Sequence, residues 1–438
     1  MMLTTQFSAC ARPMRPRRSW RAPFRAGSSS PVLAADYVAG QFGIRTRTGF
    51  DSLHDFSRSS EATHVAASGL LAAAAINAPR FDHQAIGGAP LGLLIEGTRS
   101  NALSRSQNIS NAIWAKDNVT VLAEAALAPD GSTSAEKILD TATFGHHRVK
   151  QFGLSVTAGN AYTASFFAKA AGRNVYMTLF DGSGAWSAAC RFDLQAGSIV
   201  SPSGSTLIGA RIEPAGNGWY RCALTANAVG NSTNAQVLIN VLDGLAMYAG
   251  DGLSGAYLWG AQLEVGRAAS SYIPTQDVTA TRSADRAEIG LGDWFNPTAG
   301  TVLAEVALRR GEAGRHLWSL HDAAAGGNAL GVRFASPASG ALEAVSLRGG
   351  VVEAQIALGS AAEFSVARVA LSHAPGRIAA SLNGGAAQVG TGVSPAGGYL
   401  TLQPGGLLTT AGNAHLRKIA YWSHALDDAE LQALSGAG

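Results

Sequence analysis

The sequence predicts an all-β protein: two jelly-roll or β-sandwich domains in tandem after a flexible basic N-terminal arm. Three observations predict it. Charged residues are scarce at 14% of 438, while glycine is abundant at 52. No long amphipathic helical pattern interrupts the chain, a combination that suits short strands and tight turns. Apolar–polar alternation also recurs between turn phrases such as Asp181-Gly-Ser-Gly184, Gly216-Asn-Gly218 and Asp251-Gly-Leu-Ser-Gly255, where glycine supplies the backbone freedom that turns demand. The length calls for more than one core, because single cores stop growing at about 250–300 residues.

Residues 1–35 are rich in Arg, Pro and Ser, lack periodicity and read as a flexible arm. Six arginines, Arg12, Arg15, Arg17, Arg18, Arg21 and Arg25, stand there with no acid among them, so the chain's net +3 becomes −3 for the remainder. A broadly basic nucleic-acid surface is therefore not expected on the folded part. The arm is either a solvated tail or a peg that orders on a larger assembly, with Trp20 and Phe24 as apolar anchors and Arg15, Arg17 and Arg18 pairing acidic groups. Residues 1–11 contain no apolar run of signal-peptide length, and no stretch approaches the ~20 apolar residues of a membrane span. Synthesis in the cytoplasm is expected. Cys10, Cys190 and Cys222 are odd in number and lack metal spacing; the last two sit in apolar contexts expected of reduced core thiols.

Residues 36–105 form a linker segment with a helix-prone run, Gly69-Leu-Leu-Ala-Ala-Ala-Ala75, and an apolar strand, Leu91-Gly-Leu-Leu-Ile95. Glu96 and Arg99 flank that strand, and Arg58, Glu61 and Arg80 are available to pair them. Residues 106–290 read as one sandwich, with strand patterns at Tyr162–Ala168, Val175–Phe180, Trp219–Thr225, Val237–Val241 and Ala256–Leu263. Trp219 and Trp259 are assigned to its core. Residues 291–438 form a second sandwich, with strands at Gly300–Val306, Leu317–Leu320, Phe364–Leu371, Arg377–Asn383 and His415–Trp422. A short terminal helix follows, with Asp427 or Asp428 as its cap and Leu426, Leu431 and Leu434 packing inward.

An ordered set of phrases carries a resemblance. Phe56-Ser-Arg-Ser-Ser-Glu-Ala-Thr63, Pro79-Arg-Phe-Asp-His83, Leu91-Gly-Leu-Leu-Ile-Glu-Gly-Thr-Arg-Ser-Asn101, Ser271-Tyr-Ile-Pro-Thr275 and Thr281-Arg-Ser-Ala-Asp285 together resemble phage and prophage tail-fibre or spike proteins, including head spikes of gene transfer agents. The resemblance covers about residues 50–290 and implies a carbohydrate-binding-module type of sandwich, with Gly216–Cys222 and Tyr257–Glu264 as framework strands. It also favours the peg for the arm. The closing Ile419-Ala-Tyr-Trp-Ser-His-Ala-Leu-Asp-Asp-Ala-Glu-Leu431 resembles the end of concanavalin- or laminin-G-like lectin domains.

No nucleophile-elbow, zincin, Walker or dinucleotide motif stands in a credible context, and no catalytic residue is expected. His146 and His147 are neighbours in a strand and point to opposite faces, as do His321 and Asp322, so neither pair suits a shared metal. Sugars are held by aromatic faces beside planar polar groups. That chemistry nominates Trp186 with Asp181, Tyr248 with Asp251, and Trp114, with core packing as the competing role for each tryptophan. No cofactor is expected, although Asp181 and Asp251 could hold a structural Ca²⁺. Glycoside hydrolysis would need two facing carboxylates, for which Glu213, Glu264, Asp193 and Asp243 are available. The expected function is a non-catalytic receptor-binding spike or fibre, trimeric, that binds bacterial capsular or lipopolysaccharide glycan and attaches through its N-terminus to a capsid, tail or second spike protein. A polysaccharide depolymerase and a structural virion decoration are the alternatives.

Overall fold

Alternating side chains in the middle of the chain close into a sandwich of two six-stranded antiparallel sheets. The computed structural model describes residues 30–436 except 45–46, 181–186, 310–313, 323–326, 336–339, 363, 394–397, 408–409 and 412. One middle sheet places Ser232–Leu242 between His147–Val156 and Asn174–Phe180; the other places Ala161–Ala171 between Gly255–Val265 and Trp219–Asn227. In Asn174–Phe180 the inward Val175, Met177 and Leu179 are fully buried while Tyr176 and Thr178 are not, the period-2 pattern of a sheet with one face in the core. Cys190 and Cys222 are buried free thiols.

The second sheet of this sandwich buries both faces. Phe166 enters the core, whereas its neighbour Phe167 packs on the outer side with Trp219, Trp259 and Tyr272. Both indoles are satisfied there, Trp219 Nε1 donating to the Leu127 carbonyl (3.0 Å) and Trp259 Nε1 to Ser134 Oγ (2.9 Å).

The second sandwich packs a ten-stranded sheet against a nine-stranded one, and it is built from both ends of the chain. Strand Ala414–Trp422 has Gly300–Leu308 on one edge. Its other edge is shared by Leu33–Asp36, where the arm was expected to end, and by Pro90–Ile95 of the linker segment. Asp55–Ser57 joins the facing sheet through Arg286–Gly290. Much of residues 36–105, read from sequence as a linker of their own, thus completes the C-terminal sandwich together with the last residues of the arm, Leu33, Ala35, Leu93 and Ile95 belonging to its core, while Leu103 lies in the core of the middle sandwich. The middle sandwich is in effect inserted between the two halves of the second.

Gly69–Ala75 is not helical. Leu71–Ala74 pairs with Ala62–Val65 as a hairpin, and Gly69 at φ +81° makes the turn, so tertiary pairing overrides the alanines' weak helical preference. Gly92 has a stricter role. At φ +119° a Cβ there would lie 2.3 Å from the Leu416 carbonyl oxygen, so only glycine lets this strand approach its partner.

Charged residues of the ordered phrases converge on one buried ionic cluster. Arg58 pairs Asp285 at 3.0 Å, Arg80 pairs both Asp285 and Glu96 (2.8 Å to the latter), and Arg282 lies 3.5 Å from Glu96. Ser271 Oγ adds a hydrogen bond to Glu96 at 2.6 Å. Burial pushes the Glu96 carboxyl up, but Arg282 and Arg80 outweigh it and hold it well below the usual carboxylate range. Arg99 instead faces Glu264 at 3.7 Å, and Glu61 is exposed. At the C-terminus, helix Asp428–Gly436 carries a reciprocal cap: the Glu430 N–H donates to Asp427 Oδ1 (2.8 Å) and the Asp427 N–H to Glu430 Oε2 (3.0 Å). Leu426, Leu431 and Leu434 are buried beneath it.

Candidate functional site

Of the aromatic residues nominated for sugar stacking, none is an exposed platform among the described residues. Trp186 and Asp181 lie outside the described residues, as do the arm residues Arg15, Arg17, Arg18, Trp20 and Phe24. Trp114 is 0% exposed, and its Nε1 donates to the Arg105 carbonyl at 3.1 Å; the ring is core, corrected by its burial. Tyr248 is likewise buried. Its hydroxyl donates to Asp140 Oδ2 (3.0 Å), the Arg173 guanidinium covers its ring, and burial raises its phenol.

Asp251 holds its own turn instead of facing a ligand. It accepts from the Leu253 and Ser254 N–H groups and from Arg173, and the Ser254 bonds hold its carboxyl below the ordinary range. His146 and His147 do diverge, His147 being buried between the Asn118 and Tyr248 carbonyls. No group of three or more His, Cys, Asp or Glu positioned for a metal occurs among the described residues.

A cavity lies elsewhere, where the two sandwiches and the linker segment meet. It holds about 350 Å³ and continues into a smaller one of about 80 Å³, the two sharing Glu213, Arg221 and Arg309. The linker hairpin brings His64 and Leu71, the strand around Pro90–Ile95 brings Leu91 and Leu94, and the outer aromatic cluster brings Phe167 and Tyr272. The middle sandwich's edge strand Leu207–Pro214 and its neighbour Trp219–Asn227 supply Arg211, Glu213 and Arg221, and the spacing by two puts Arg211 and Glu213 on one face. The turn after Gly255–Val265 adds Arg267, and the second sandwich adds Arg309 and Phe364.

Charge in this cleft is strongly one-sided. Arg211 pairs Glu213 at 2.8 Å. Burial would raise the Glu213 carboxyl, yet Arg309, Arg211 and Arg221 together hold it below the ordinary carboxylate range. Arg221 lies over the Phe167 ring and donates to the Ser270 carbonyl (2.7 Å) and Ser165 Oγ (3.0 Å), while its Nε is buried without a partner. The second carboxylate of the lining, Asp82, is committed to His415 at 2.7 Å. Such a cleft can lay an apolar ring face on Leu91, Leu94 and Phe167 while guanidiniums donate to oxygens along its edge.

Among the four carboxylates weighed for hydrolysis, only Glu213 lines this cleft. Glu264 is buried and bonded to Ser270 and Gln262, Asp193 caps a turn, and Asp243 faces Arg173. Sequence reasoning missed the arginines because they come from four separate segments. The one local signal was the alternation Arg211-Ile-Glu213 on an edge strand.

No family model matches the chain, and no curated protein matches its sequence. Solved structures that are similar in part include the following three. Domain 4 of AbnA, a GH43 extracellular arabinanase from Geobacillus stearothermophilus, is 10% identical at a TM-score of 0.29, over 39% of this chain and 83% of that one. The mouse laminin alpha1 LG4-5 domains are 11% identical at 0.23, over 66% and 90%. A tail fiber protein from an E. coli phage is 10% identical at 0.21, over 75% and 40%. At such values the site stands on this chain's own strands and side chains.

Proposed function

We propose that the chain is a non-catalytic receptor-binding spike or fibre of a phage-like particle, attached through its N-terminal arm, that binds bacterial capsular or lipopolysaccharide glycan. The observation that carries the glycan part is the junction cleft, which sets an apolar wall beside several guanidinium donors in a volume within the roughly 300–1,000 Å³ of small-molecule sites. The ordered phrases of residues 50–290, by their resemblance to fibre and spike proteins, support the particle part. Weak single-site sugar contacts also favour a homotrimer, because linked sites gain about 10²-fold or more in avidity; light scattering that gives a monomer mass at micromolar concentration would remove it.

Asp82 and Glu213 line one cavity, which favours a depolymerase as the second reading. Incubating the purified chain with bacterial surface polysaccharide separates the two: a spike retains the polymer and releases no new reducing ends, whereas a depolymerase releases them. Absence of both binding and cleavage would leave a structural decoration.

A further inference from the structure

We infer that the junction cleft recognises an acidic group, a carboxylate or a phosphodiester, on the repeat unit of its polysaccharide; this rests on the glycan-binding reading above. Elsewhere the chain pairs its buried guanidiniums with carboxylates, as in Arg58–Asp285, Arg80–Glu96, Arg173–Asp140 and Arg368–Glu305. In the cleft only Arg211 has such a partner among the described residues, Glu213. Arg211, Arg221, Arg267 and Arg309 face one another across a shared space, with Glu213 as the single carboxylate not committed elsewhere.

Arg267 and Arg309 make no ion pair among the described residues, and the Nε atoms of Arg221 and Arg267 are buried without partners. Like charges gathered with buried, unused donors are unfavourable unless a ligand supplies the counter-charge. The floor between them is Gly209, Ala223, Ala268 and Ala269, side chains too small to fill the space or neutralise it. A guanidinium fork matches a planar carboxylate or a phosphate bidentately, which neutral hydroxyls cannot reproduce with equal strength. Nucleic acid fits less well, since the chain beyond the arm carries a net −3 and long polyanions are held by broad basic surfaces.

The test uses the full chain and four probes: polygalacturonate, its carboxyl-reduced neutral form, glycerol teichoic acid and dextran. Polygalacturonate, teichoic acid or both should bind in a salt-sensitive way, and the two neutral polymers should bind at least about tenfold more weakly. Arg267→Gln with Arg309→Gln, which breaks no bond seen in the fold, should lose about tenfold or more in affinity at unchanged melting temperature. Glu213→Gln should act oppositely, tightening acidic polymer about threefold by removing the opposing charge, an effect that a merely structural role would not give. Binding to polygalacturonate alone makes the group a carboxylate, and to teichoic acid alone a phosphodiester; either supports the inference. Neutral polymers bound as tightly as acidic ones would overturn it and leave the glycan reading intact. Single-stranded DNA displacing every glycan would overturn it in favour of nucleic acid, and failure of all four probes together with bacterial surface polysaccharide would overturn both.

Discussion

A carboxylate at 0% exposure survives in this chain because guanidiniums and a hydroxyl surround it. Glu96 touches Arg80 and Ser271 and lies near Arg282, while Asp285 completes the set with Arg58. Glu96→Gln should therefore leave surplus buried positive charge and destabilise the fold by about 3–5 kcal/mol; urea denaturation measures it, and a loss below about 1 kcal/mol would show the cluster relaxes around water. The sequence offered Arg58, Glu61 and Arg80 as candidate partners for Glu96 and Arg99, since buried charges need counter-charges, but it did not point to Arg282 or Asp285. It could not assign the pairs, which join positions as far apart as Arg58 and Asp285. Trp114 illustrates the opposite case. Its neighbours Lys116, Asp117 and Asn118 look like a polar loop, yet the ring turns inward. Trp114→Ala should cost about 3–5 kcal/mol as a large-to-small core change while the folded fraction keeps its glycan affinity, and thermal melts beside binding isotherms separate the two effects.

Elements were legible wherever local pattern and tertiary need agree. The period-2 strands of both sandwiches and the terminal helix emerge where alternation and a D-x-x-E cap mark them, with the structure choosing Asp427 over Asp428. Asp427→Ala removes one acceptor for the helix's free N–H groups and should cost about 1 kcal/mol, read as a fall in melting temperature. Gly69–Ala75 misled because alanine's preference for helix is a fraction of what strand pairing supplies. Pro90–Ile95 carries a constraint that no propensity reveals: Gly92→Ala would drive a methyl into the Leu416 carbonyl. That variant should lose the pairing with Ala414–Trp422, seen as faster amide exchange at Leu93 and Leu416. The cleft was illegible for a related reason, as Arg309 joins Arg211, Arg221 and Arg267 only after the second sandwich meets the middle one.

The whole molecule responds to acid through its second sandwich. His54, His316 and His373 are held from the usual 6.5 down to about 4, chiefly by burial. A histidine lowered on folding stabilises the native state above its unfolded value and loses that contribution as pH falls, because the unfolded chain takes up a proton that the folded ring refuses. Between pH about 6.5 and 4 the three should remove several kcal/mol, an order-of-magnitude drop corresponding to about 10 °C or more in melting temperature. Calorimetry at pH 7 and pH 5 tests it, and a shift under about 3 °C would show that these rings gain water before the sandwich opens. The strand pairing that closes this sandwich also sets a timetable. Leu33 is hydrogen-bond neighbour to Tyr421, so at about 5–20 residues per second of synthesis strand Leu33–Asp36 waits roughly 20–80 s for its partner. The middle sandwich, contiguous in the chain, can mature during that interval. Codons that slow the ribosome after residue 290 would lengthen the exposure of Leu33–Asp36 and Pro90–Ile95 to other nascent chains, making the yield of this protein a matter of translation rate as much as of equilibrium stability.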